Sequence, residues 1–186
     1  MHYHACMVTP MDPLPHEPKT LREFAEADLR RAARLIIKVQ DQIDPQFRFS
    51  TPDGDYHLAV TLPADDYERR AMLRRVSAFM AWKQALCFTL ASELIAPDCV
   101  YCLGVTAKEV CACFSRIRRR PKPWTKDSFG SIEWLDRAQI GQEMIDLLPR
   151  ATRAMTPKET AMLHKWFGPD GRYPAVHLPT GELRGI

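Results

Sequence analysis

The chain has 186 residues, 46 % of them hydrophobic and 26 % charged, with a formal net charge of +3; these are ordinary globular values, and the length suffices to bury a core. No apolar run approaches the ~18 residues of a membrane span, and the first residues, MHYHAC, lack the basic and apolar regions of a secretory signal, so a cytoplasmic protein without membrane contact is expected. The charge is uneven: residues 108–126 hold seven basic side chains against Glu109, a net +6 that leaves −3 for the rest of the chain, which is how a phosphate-facing patch is distributed.

Residues 1–18 contain four prolines and little periodicity and read as an irregular leader; His2, His4 and Cys6 alternate in it, a pattern that meets metals only adventitiously. Thr20 followed by Glu23 is a capping box opening a helix to about residue 43, with Leu29, Ala32, Ile36, Val39 and Ile43 as its apolar stripe. Phe47 and Phe49, then Pro52-Asp53-Gly54, then Tyr56, Leu58, Val60 and Leu62 alternate as a β-hairpin around a turn, with His57 on the less apolar side as an exposed strand residue. Pro63 ends the hairpin, and Asp65 or Asp66 caps a second long helix to about residue 94. Its second half is apolar nearly all round and predicts a buried central post carrying Phe79, Trp82, Leu86, Phe88 and Leu90.

Residues 103–110, LGVTAKEV, combine a glycine free to turn sharply with a second T-x-x-E capping box at Thr106 and Glu109, flanked by Val105 and Val110. This resembles the turn and second helix of helix-turn-helix DNA-binding proteins over about residues 98–120. The resemblance implies a small cytoplasmic DNA-binding protein, a transcriptional regulator, whose second helix enters the major groove. Ala107, Lys108, Cys111 and Ala112 would face base edges, a set poor in the Arg, Asn and Gln that read sequence. Lys108, Arg116, Arg118, Arg119, Arg120, Lys122 and Lys126 are the candidate nucleic-acid-binding residues, with Pro121-Lys122-Pro123-Trp124 as a stiff arm. Residues 98–103 fit two elements: propensity favours a strand, whereas the spacing of Leu103, Gly104, Val105, Val110 and Cys113 suits a helix pair.

Residues 129–135 alternate as a short strand, 137–148 read as a helix stopped by Pro149, and Thr156-Pro157-Lys158-Glu159 opens a last helix ending at Gly168-Pro169. Cys99, Cys102, Cys111 and Cys113 place four thiols within fifteen residues and are the candidate zinc ligands. A C-x-C pair on a helix, however, points its sulfurs about 160° apart, so reduced thiols without metal or any other cofactor are expected. Neither a nucleophile elbow, a phosphate-binding glycine loop nor a metalloprotease helix motif occurs, and no enzymatic activity is expected. The fold class that follows is α+β, mostly helical: two long helices, a β-hairpin and three shorter helices in one domain over 19–168, with 169–186 an irregular tail. DNA is the expected partner; the alternative is a protein–protein interaction module, an adaptor or inhibitor, with no nucleic-acid role.

Overall fold

In the computed structural model, residues 8–10, 20–39, 42–52, 54–60, 63–120, 126–148 and 154–168 are described. Lys122 and the 121–125 arm, His2, His4, Cys6, the tail 169–186 and all of the leader except residues 8–10 lie outside them.

An antiparallel sheet, rather than a helical bundle, organises these residues. Its strands are β1 (Val8–Pro10), β2 (Gln46–Thr51), β3 (Gly54–Ala59), β4 (Cys87–Leu94), β5 (Cys99–Thr106), β6 (Val110–Arg118), β7 (Ser128–Phe129) and β8 (Glu133–Trp134). They lie in the order β1-β3-β2-β4-β5-β6-β7, with β8 also paired to β6. The helices are α1 (Leu21–Val39), α2 (Asp66–Trp82), a single turn α3 (Gln142–Ile145) preceded by a 3-10 turn, and α4 (Pro157–Phe167). The expectation of a mostly helical fold is therefore corrected at two places.

The first is the end of α2. The helix stops at Trp82, and Gln84 turns the chain with φ 54°. Leu86 donates its N–H to the Ser50 carbonyl at 2.8 Å, which registers the following residues as β4. Phe88 and Leu90 are buried as expected, but they are strand residues, and Leu86 is 62 % exposed. The second is the region 98–120. Cys99–Thr106 and Val110–Arg118 pair in register from Val105↔Val110 to Cys99↔Arg116, so no helix-turn-helix forms there. Thr106 and Glu109 do make the local bond that their spacing predicts, Glu109 N–H to Thr106 Oγ1 at 2.9 Å. The Thr106 N–H, however, returns to the Glu109 carbonyl at 2.8 Å, which closes a hairpin instead of starting a helix.

Both corrections share one cause. Strands covered on both faces read as near-continuous apolar runs without alternation, and β4, β5 and β6 are such strands. Leu21, Ala25, Leu29, Ala32 and Ile36 of α1 pack with Ala91, Val100, Cys102, Cys111 and Cys113 on one face. Val76, Phe79 and Met80 of α2 pack with Phe47, Phe49, Phe88, Leu90, Leu103, Val105 and Leu163 on the other. Gly104 marks the closest approach of α1: a Cβ there would meet Cys111 Sγ at 3.1 Å, Leu21 Cδ1 at 3.2 Å and Ala25 Cβ at 3.3 Å.

The remaining helix starts agree with the sequence. Thr20 and Glu23 exchange their capping bonds, Asp65 accepts from the Glu68 N–H at 2.9 Å, and Thr156 and Glu159 form a full capping box with Pro157 at the first helical position. The β2–β3 hairpin forms, from Gln46↔Ala59 to Thr51↔Gly54; its second strand ends at Ala59, before the expected Val60, and Leu62 lies outside the described residues. The strand expected at 129–135 is two short pieces, β7 and β8, and the helix expected at 137–148 is broken into the 3-10 turn, α3 and helical residues 147–148.

Candidate functional site

The predicted cationic residues do not share one surface. Lys108 is exposed at the β5–β6 turn, whereas Arg116 and Arg118 lie at the far end of β6, about 25 Å away by strand rise. Arg116, Arg118 and Lys126 are exposed. Arg119 is exposed but already paired: it binds Glu93, donates to Asp98 at 2.7 and 2.9 Å and reaches Asp127 at 3.1 Å. These carboxylates hold its guanidinium above the ordinary arginine value. The Arg120 N–H donates to Asp127 at 2.8 Å and, with Arg119, keeps the Asp127 carboxyl below the usual carboxylate range. The net +6 of the segment is thus partly offset by Glu93, Asp98 and Asp127, a compensation that residue counting within 108–126 misses.

The four candidate thiols do not converge either. Cys102, Cys111 and Cys113 face α1, and strand alternation sends Cys99 to the opposite face. Burial raises all four thiols, Cys111 to about 11 and Cys113 to about 12, so each is a packed, protonated side chain at neutral pH. Among the described residues no group of three or more His, Cys, Asp or Glu is arranged to hold a metal.

Two other features emerge. The first is the end of the sheet on the α2 side, where Cys99 is buried and Tyr101 packs against the core while Leu94 and Ile95 stand exposed. Leu94, Cys99 and Arg116 form one cross-strand row, and Ser92, Tyr101, Phe114 and Glu133 form the next. Leu94 is 40 % exposed and Ile95, in the adjoining turn, 73 %; Tyr101 and Phe114 are half-buried. An apolar strip rimmed by Arg116 and Arg118 results at this end of the sheet.

The second is a polar cluster under α1 that the sequence does not announce. Its members come from α1, β2, β3 and β4, and only their register brings them together. Asp28 is fully buried; it accepts from Arg31 Nε at 2.8 Å and from the Thr89 hydroxyl at 2.7 Å. Arg31 Nη1 donates to Gln46 Oε1 at 3.0 Å, and His57 Nε2 lies 3.0 Å from the same oxygen. Because Gln46 Oε1 only accepts, His57 carries its proton on Nε2. Arg48, 1 % exposed, sits directly opposite both His57 and Thr89. It pairs with Asp55 through Nη2 and lies under the Phe24 ring at 4.7 Å. His57, read from sequence as an exposed strand residue, is half-buried here. Burial first, then Arg31 and Arg48, lower its pKa from 6.5 to about 4, so it is neutral at physiological pH.

Three nitrogens of the cluster, Arg31 Nη2, Arg48 Nε and Arg48 Nη1, are buried and have no hydrogen-bond partner. A buried donor left unsatisfied costs about 1–3 kcal/mol, more when charged. The only sequence signal for this cluster is the arginine, glutamine and histidine on the polar side of the 46–60 hairpin, which by alternation alone looks like a solvated face.

No protein-family model matches the chain, and neither the curated proteins nor the solved structures contain a match.

Proposed function

We propose that this chain is a protein-interaction module whose binding surface is the bare strip of sheet at Leu94, Ile95, Tyr101 and Phe114, rimmed by Arg116 and Arg118. One observation carries the reading: two aliphatic side chains, 40 % and 73 % exposed, stand beside half-buried aromatic rings and exposed arginines on adjacent strands. Aromatic residues and arginine are enriched at protein interfaces, and an exposed apolar patch rimmed by polar residues marks an interaction site. The complementary partner is a protein segment offering apolar side chains flanked by acidic ones. The five described cysteines are free thiols, which suits a reducing compartment such as the cytoplasm.

A DNA duplex would be held by cations alone and would have no use for Leu94 and Ile95, which is why the protein partner is preferred to the nucleic acid. The test is affinity capture from native extract, with and without nuclease treatment, using wild type, Ile95→Asp and Arg116→Glu/Arg118→Glu. A protein retained by wild type and lost with both variants supports the reading. Equal retention by all three overturns it. Retention that vanishes on nuclease treatment, with log affinity falling steeply against log salt, returns the function to nucleic-acid binding.

A further inference from the structure

We propose that Arg31 and Arg48 form a binding site for the oxyanion group, carboxylate or phosphate, of a small ligand entering beneath α1. The site is separate from the bare sheet strip and does not depend on it.

The geometry narrows what can bind. Two cations and two carboxylates, Arg31 with Asp28 and Arg48 with Asp55, surround a neutral histidine, so an incoming anion meets no net opposing charge. The carboxylates use only part of each guanidinium. Arg31 Nη2 and both Arg48 Nε and Nη1 remain buried and unpartnered, and such donors make their strongest hydrogen bonds to anionic oxygens. The Phe24 ring, at 4.7 Å from the Arg48 guanidinium carbon, closes one face of that group and leaves its nitrogen edge, which suits an oxyanion and not a bulky ring. The cluster also has a direction. Asp28 and Thr89 form its sealed end at 0 % exposure, while the Asp55 side chain is 31 % and that of Arg31 18 % exposed. The oxyanion therefore approaches from the part-exposed edge marked by Arg31 and Asp55, with the rest of the ligand outside.

His57 lies between the two arginines and reports on them. The charged groups facing it are Asp28 and Arg31 from α1 and Arg48 from β2, with Asp55 two residues before it on its own strand. An anion on the guanidiniums screens the two charges that depress its protonation, so its midpoint must rise when the site fills.

The experiment is an NMR titration of the His57 ring with inorganic phosphate and, separately, with succinate, using sodium chloride at matched ionic strength as control. Saturable shifts with phosphate or succinate, absent with chloride and accompanied by a higher His57 midpoint, support the site, and the arm that saturates identifies the anion. Arg31→Gln, at the half-open edge, is expected to keep the fold and weaken binding about tenfold or more, the loss of one charged hydrogen bond. Arg48→Gln should abolish binding; if that variant does not fold, the wild-type titration and Arg31→Gln decide. Identical shifts with chloride, or saturation unchanged in Arg31→Gln, overturn the proposal.

Discussion

The Thr89 hydroxyl donates to the Asp28 carboxylate at 2.7 Å across 61 residues of sequence, and both side chains are fully buried. That bond joins β4 to α1 at the closed end of the polar cluster. Thr89→Val keeps the shape and removes the donor, which leaves a buried carboxylate oxygen unsatisfied. A destabilisation of about 1–3 kcal/mol is expected, read as a lower urea midpoint at unchanged slope.

His57 sets a pH dependence whose sign follows from its lowered pKa. Between 6.5 and about 4 the unfolded chain takes up a proton that the folded chain refuses. The histidine's contribution is therefore complete above the unfolded value and is lost as pH falls through that window. His57→Gln should flatten the denaturation midpoints over this range relative to wild type. An unchanged slope would mean that His57 titrates normally.

Glu93 is an acid whose side chain is 2 % exposed, and it depends on Arg119; it also accepts the Ile43 N–H at 3.1 Å. Arg119→Met strands that carboxylate at a cost of about 1–3 kcal/mol. Adding Glu93→Gln should recover part of the loss, so the two changes are non-additive in a double-mutant cycle.

Phe79 and Leu86 separate α2 from the strand that follows it. Phe79 is 0 % exposed and meets Phe49, Tyr56 and Trp82 edge-on at 5.5–6.0 Å; Phe79→Ala should cost about 3–5 kcal/mol. Leu86→Ala, at an exposed turn, should stay within about 0.5 kcal/mol. Equal effects would restore one uninterrupted helix through residue 94.

These contrasts show which parts of the fold are legible in the sequence. Caps and turns are local, so Thr20, Asp65, Thr156 and the 46–59 hairpin read correctly. The element following a cap is not local. Thr106 and Glu109 make the same side-chain bond in a hairpin as at a helix start, and only the pairing of Cys102 with Cys113 decides between them. No glycine or proline separates Trp82 from Phe88 to announce that a helix has given way to a strand. The candidate site was less legible still. His57, Gln46 and Arg48 look like a solvated strand face until α1 covers them, and Arg119 looks free until Glu93 and Asp98 arrive from β4 and its turn.

The clasp at Asp127 has a practical consequence. Arg119 and the Arg120 N–H both end on that carboxylate, so Asp127 is held against the end of β6. Extra chain spliced in after Lys122 lies between two residues that are already held together, Arg120 and Asp127, and each doubling of such a connection costs only ~0.6 kcal/mol. An epitope or fluorophore-acceptor peptide placed there should leave the melting temperature nearly unchanged, which makes this position a handle for labelling the protein.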